Sequence, residues 1–261
     1  MQFVQGKLPS ELQCGHRLLA QNTTIRSDFH EKVATGVIIP HRSSLLSLSD
    51  HEIRLSNGES LEVDVVILCT GYHMSAVPLI PLDAIASRDA PAPHVDLYKQ
   101  LVSPYYDGLY VMGLLQLFGP HGPAAEAQAR FAAAMVSGTI PRPDRDEMLE
   151  DIRKVREWKT KTFLNSDAHV FTLYSIQYMD ELARPLGAVP TVWKMLVRTF
   201  TGNPLVGMKL FWAVFFGPVS GAQWRLTGHG AKEKLATATV LRVAAGKERL
   251  NDAEKVFLEV N

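Results

Sequence analysis

The sequence predicts an α/β chain with a β-rich first part and a helical C-terminal region. Three observations carry that prediction. Alternating apolar and polar residues surround Asn57-Gly58, a hairpin signal because both residues tolerate positive φ. Residues 63–72 form a run whose core is apolar on both faces, the pattern of a central parallel strand covered from two sides. After Arg145 the apolar residues Met148, Ile152 and Val155 recur at helical spacing.

Element by element, the first thirty residues show no clear period. Val37-Ile38-Ile39, residues 45–48 and residues 52–55 predict two or three antiparallel strands joined by tight turns. Residues 63–69 predict the central strand, which Gly71 ends. A segment with Pro78, Pro81, Pro91 and Pro93 reads as loop. Residues 97–102 and 108–115 predict two further strands, the second of them buried. A Gly/Pro-rich turn over 119–123 leads into a helix over 124–137, with Gly138 as its C-cap. Helices are then predicted from Arg145 onward, over 167–182, over 191–200 and over 205–216, where Gly217-Pro218 stops the last.

Composition narrows the function classes. With 46% apolar and 21% charged residues, the 261-residue chain is ordinary for a globular protein and long enough for a sizeable core. Lys+Arg and Asp+Glu balance at 27 each, so no net field favours nucleic acid or an anionic membrane. Cys14 and Cys69 lie far apart, which excludes a disulfide framework or zinc ribbon and suits a reducing compartment. The nine His do not cluster at metal-ligand spacing, so no metal site is expected. Residues 1–10 contain no apolar signal core, and the apolar stretch 205–216, interrupted by Lys209, is too short to span a bilayer. A cytoplasmic or endoplasmic-reticulum-associated location without a transmembrane anchor in this chain is therefore expected.

Two segments combine residues that suit chemistry. Thr70, Gly71 and Tyr72 leave the predicted central strand at its carboxyl edge, where open α/β sheets bind cofactors. A plain turn after a core strand explains the same letters. Residues 113–130 read as strand, Gly-rich loop and helix start, with Gly113, Gln116, Gly119, His121 and Gly122 along the way. Unpaired N–H groups at a helix start attract anions or electron-rich oxygens. The Gln116 amide needs partners, which a flavin ring edge or the adjacent loop would supply. Cys69 reads as an inert core thiol and His121 as a solvated loop residue. Trp212, Phe211, Phe215 and Phe216 read as core or interface, with the lining of a substrate tunnel as the alternative, and Lys232, Lys234, Lys247 and Arg249 as a solvated face.

These segments carry a resemblance. D-V-V-I-L-C-T-G-Y at 64–72 is similar to an "ATGY" linker motif, with Cys69 where Ala is usual. Residues 96–104 resemble an "LYK" strand. Residues 113–130 align without a gap to the pattern G-L-I-Q-x-L-G-x-x-x-P-x-x-E-x-Q-x-R. Tyr178-Met179-Asp180-Glu181-Leu182-Ala183 resembles "Y-x-D-x-L-A". Gly217-Pro218 with residues 223–230 resembles "G-P…Y-R-L-x-G-P-G". Together, from about His16 to Ala231, the chain resembles the dimethylaniline-type flavin-containing monooxygenases. The departures are His121-Gly122 in place of apolar residues in the loop and the absence of a hydrophobic C-terminal anchor.

The resemblance implies the C-terminal part of a flavoprotein with two dinucleotide-binding domains. Residues 1–72 would end the NADPH-binding domain, with Thr70, Gly71 and Tyr72 at the crossover. Residues 73–144 would return to the FAD-binding domain, with Gly113, Gln116, Gly119, His121 and Gly122 on the flavin side. Residues 145–261 would form the helical region. It further implies FAD and NADPH as cofactors and O₂ with a small amine or sulfide as substrates, and it names no catalytic side chain. No G-x-G-x-x-G occurs in the chain, nor the family's F-x-G-x-x-x-H signature, so inactivity of this chain alone is expected. The competing expectations are a non-catalytic remnant serving as an interaction module, or a Baeyer–Villiger-type flavoprotein.

Overall fold

In the computed structural model, residues 28–69, 80–81, 84–85, 95–163 and 171–246 are described. The chain forms two units, 1–76 and 77–261. Thr70, Gly71, Tyr72 and Cys14 lie outside the described residues.

In the first unit, a short helix α1 (Phe29–Ala34) precedes three strands, β1 (Leu45–Leu48), β2 (Glu52–Leu55) and β3 (Ser60–Glu62), in an antiparallel meander. Local chemistry sets the register. Gly58 takes φ +90°, the Gly58 N–H donates to the Leu55 carbonyl at 3.0 Å, and the Asn57 side chain both accepts from the Glu59 N–H and donates to its carboxylate. Ile53 then pairs with Leu61 and with Leu48 across the two ladders. The Asn57 and His41 hydrogen bonds hold the Glu59 carboxyl below its ordinary range.

Two predicted strands of this unit do not form. Val37 and Ile39 are exposed in a turn after α1. Residues 63–69 carry no strand either: Ile67 is 81% exposed, and Val65, Leu68 and Cys69 are exposed as well. A central parallel strand needs a ladder on each side and layers over both faces. Among the described residues nothing supplies them, so Cys69 is a surface thiol rather than a core one.

In the second unit, a parallel pair, β4 (Gln116–Phe118) and β5 (Thr172–Tyr174), is in register Gln116↔Thr172, Leu117↔Leu173 and Phe118↔Tyr174. Each strand runs directly into a helix: β4 into α2 (His121–Val136), and β5 into α4 (Ser175–Ala183). Of the helix predicted over 167–182, residues 167–170 lie outside the described residues, Thr172–Tyr174 are taken into the ladder as β5, and the helix is seen from Ser175. The predicted strand over 108–115 shrinks to an isolated bridge at Tyr110, and residues 97–102 make a tight turn bridged from Tyr98 to Val102.

The helices over 145–216 follow the sequence closely, whereas the helix after Lys232 was not expected from it. Asp144 caps α3 (Arg145–Thr162) by accepting from the Glu147 N–H, and Thr191 caps α5 (Val192–Thr201) through the Lys194 N–H. Asn203 caps α6 (Pro204–Phe216), with Pro204 at its first turn. A 3-10 turn over Gly221–Arg225 leads to α7 (Glu233–Ala244). A main core gathers Leu101, Leu117, Phe131, Tyr178, Leu182 and Trp224, and a second one joins Met195, Leu210, Leu226 and Val240.

Candidate functional site: a clamped turn beside a cofactor-type edge

The carboxyl ends of β4 and β5 lie side by side, and both helix starts follow them. The Ser175 hydroxyl donates to the Phe118 carbonyl at 2.8 Å and ties the two corners together. A Cβ on Gly119, at φ +141°, would fall 2.7 Å from the same Ser175 Oγ. Gly119 is therefore required by internal packing. Gly122 is different: it is exposed, and a Cβ there would meet nothing within 4 Å. No side chain caps α2, whose N-cap is Pro120, and His121 is its exposed first residue. The Gln116 amide oxygen accepts from the Thr172 hydroxyl at 3.0 Å.

Behind this edge the Gly113 arm is anchored by a side chain that the sequence pattern contains only as one of its letters. Gln128 is fully buried. Its amide oxygen accepts from the Gly113 N–H at 2.9 Å, and its amide nitrogen donates to the Gln100 carbonyl at 3.0 Å and the Tyr178 hydroxyl at 2.7 Å. Tyr178 in turn donates to the Lys99 carbonyl at 2.8 Å. Burial pushes the Tyr178 phenol well above its ordinary pKa, so it stays a neutral donor.

The turn so held is strained. Lys99 and Gln100 sit at φ +52° and +50°, a left-handed conformation that costs non-glycine residues about 1 kcal/mol or more each. Both of its carbonyls are clamped, by Tyr178 and Gln128. The Lys99 ammonium donates to Asp151 at 2.7 Å and lies 3.4 Å from Glu181. Burial opposes that charge, but the Asp151 hydrogen bond and both carboxylates outweigh it and hold Lys99 above its ordinary value. An open groove of about 520 Å³ runs past this pair, with Trp158 and Tyr174 among its walls.

The C-terminal motifs close on the same helix. Arg130 donates to the carbonyls of Trp224 at 2.8 Å and His229 at 2.7 Å, while Arg225 pairs with Glu126 at 3.1 Å. The Trp224 indole N–H donates to Asp180 at 2.7 Å. Gly228, at φ +81°, lies so near the chain that a Cβ would fall 2.4 Å from the Leu186 carbonyl. Motif letters far apart in sequence thus form one network: residues 98–100, the E-x-Q-x-R letters of α2, Tyr178 and Asp180 of α4, and Trp224 to Gly228. The signal that would have found it is the cluster of polar letters inside otherwise apolar runs.

The strand–loop–helix edge over residues 113–130 is thus backed by a buried polar clamp of Gln128 and Tyr178. The chain belongs to the flavin-binding monooxygenase-like family, whose model matches residues 9–251. It is 34% identical over 222 residues to flavin-containing monooxygenase 3 of Homo sapiens, covering 82% of this chain and 39% of that protein. To flavin-containing monooxygenase 5 of Cavia porcellus it is 28% identical over 229 residues, 85% of this chain and 40% of that one. The chain thus spans about 40% of the length of such relatives and corresponds to a C-terminal portion of a protein of this type. Among solved structures it is similar to S-allyl-L-cysteine S-oxygenase from Allium sativum, at 24% identity and a TM-score of 0.45, over 63% of this chain and 39% of that one.

The residues present fit the ring side of a flavin: an uncapped helix start, an exposed glycine that internal packing does not require, and a polar amide on the neighbouring strand. Among the described residues no cluster of His, Cys, Asp or Glu fits a metal, and no helix is long and apolar enough to cross a membrane.

Proposed function

We propose that this chain is part of a longer flavoprotein monooxygenase that uses NADPH and O₂ to oxygenate soft nucleophiles, tertiary amines or sulfides. The observation that carries the reading is the β4–β5 carboxyl edge, where two helices start beside the family's loop over Gly113, Gln116, Gly119, His121 and Gly122. Bound FAD supplies the oxygen-activating chemistry in this family. This chain's residues act by placement. The N–H groups at the start of α2 and the Gln116 amide nitrogen would hold electron-rich ring atoms, while the Gln116 amide oxygen accepts from Thr172 and Gln128 fixes the Gly113 arm from behind. Thr70, Gly71 and Tyr72 are proposed to form the crossover between the two nucleotide domains.

The chain alone is proposed to be inactive. Backbone anchoring of a pyrophosphate comes from a glycine loop at a helix start, and no G-x-G-x-x-G occurs here. Contacts at one end of the cofactor do not offset the entropy of ordering all of it. The purified chain is expected to be colourless and to show no NADPH oxidation with a tertiary amine above background. Co-purification with stoichiometric flavin, together with amine oxygenation, would overturn this.

A further inference from the structure

The turn between β2 and β3 sets a side-chain amide beside an unhindered peptide nitrogen. Residues 56–60 are all exposed. Gly58 carries no side chain, and a Cβ there would meet nothing within 4 Å, so only the bond from its N–H to the Leu55 carbonyl, 3.0 Å, occupies that nitrogen. Of the six asparagines in the chain, Asn57 alone precedes glycine. Asn22, Asn165 and Asn251 precede residues with side chains, Asn203 precedes proline, and Asn261 is the final residue.

The Asn57 amide is held at both of its ends. Its Oδ1 accepts from the Glu59 N–H at 3.2 Å, a bond that folds the side chain over the Asn57–Gly58 peptide. Its Nδ2 donates to Glu59 Oε2 at 2.8 Å, and the same oxygen lies 3.1 Å from His41 Nδ1. A donor thus faces the oxygen on which negative charge builds when the amide carbon is attacked, and a carboxylate sits on the nitrogen that leaves.

We propose that Asn57-Gly58 is a self-modifying site, at which the folded chain loses the Asn57 amide and thereby releases its own turn. The Gly58 nitrogen attacks Asn57 Cγ. The new C–N bond closes a five-membered imide, the Cγ–Nδ2 bond breaks, and the Gly58 proton leaves with Nδ2 as ammonia. Glu59, already on Nδ2, is the group placed to carry that proton. Water then opens the imide at either of its carbonyls, so one water enters and one ammonia departs. The product carries a carboxylate at position 57, in the normal linkage or with the backbone rerouted through the former side chain. Both products exchange the Nδ2–H donor for a second carboxylate beside Glu59. The rerouted one also lengthens the backbone of a turn that the Gly58–Leu55 bond closes.

The test incubates the chain at neutral pH and follows it by peptide mapping over days. Trypsin releases residues 55–88 as one peptide. Its conversion into two species of equal mass, each heavier by the exchange of NH₂ for OH, is expected. That conversion should run at least about tenfold faster than any change at Asn203, whose following Pro204 offers no N–H. Asn57→Gln should leave the peptide unchanged, because its imide ring would have one more atom. Glu59→Gln, which keeps the backbone donor and removes the carboxylate, should slow the conversion several-fold. Asn57→Asp, which installs the normally linked product, should raise the Glu59 carboxyl titration read by NMR, since the Asn57 bond holds that group low ahead of His41. An Asn57 that persists as long as Asn203, or that is lost only once the chain is unfolded in urea, would overturn the proposal. Conversion at the parent rate in Glu59→Gln would overturn the part given to that carboxylate, and an unchanged titration in Asn57→Asp would overturn the release of the turn.

Discussion

Two apolar runs of this chain look alike in sequence and end up in opposite environments. Val65-Val66-Ile67-Leu68 lies in the first unit, exposed and outside any ladder, whereas Leu115-Gln116-Leu117-Phe118 lies in the second, where Leu117 is 5% exposed and paired in register with Leu173. The difference is the partners. The second run has β5 beside it, α2 leading away from it, and the aromatic rings of Phe163 and Tyr174 on Phe118. The first has no strand partner among the described residues. An apolar run states a demand for burial, and the neighbours decide whether it is met.

The sharpest way to break this comparison is at the clamp that holds the Gly113 arm. Gln128→Leu removes the acceptor of the Gly113 N–H and leaves the carbonyl of buried Gln100 and one side of the buried Tyr178 hydroxyl without that partner. A loss of about 4 kcal/mol in unfolding free energy is expected by urea titration. A loss under about 1 kcal/mol would show that water replaces those bonds.

A matched pair of truncations tests the runs directly. Leu117→Ala should cost about 2–3 kcal/mol by the same titration, because it opens a cavity in a closed core. Ile67→Ala should change stability within about 0.5 kcal/mol, as exposed positions do. Equal losses at the two sites would show that the first run is buried after all.

An effect of pH concerns α3, whose Trp158, with Phe163 just beyond the helix, packs around Tyr174 of β5. Burial pushes the Lys159 ammonium down to about 7. Its affinity for a proton is thus lower in the folded chain than in the unfolded one, where lysine titrates in its ordinary range. Deprotonation favours the fold, so stability should rise from about pH 7 toward the ordinary lysine value. Urea midpoints across that window should climb in the parent and stay level in Lys159→Gln.

The smallest effect is on solubility rather than stability. Ile67→Ser with Leu68→Ser removes exposed apolar surface from the first run. Light scattering on heating should fall, while the unfolding midpoint stays within the error of the parent. Unchanged aggregation would show that another exposed apolar surface, such as Trp193 and Phe200 of α5, drives it.

Much of the local structure was legible in the sequence, since its causes are local. Asn57-Gly58 set the meander's register, because Gly58 takes the positive φ that the turn needs and the Asn57 side chain holds it through Glu59. The helices over 191–200 and 205–216 were legible from their apolar runs, and Thr191 and Asn203 cap them with their own side-chain oxygens. Family membership was also legible, from motif letters in their order. The tertiary structure alone decided which apolar runs were buried, and it gave Gln128, Arg130, Tyr178 and Asp180 their partners. Those bonds join residues 44 to 94 positions apart. A hydrogen bond formed across such a distance depends on the packing of several helices at once, and no local pattern of letters contains that geometry.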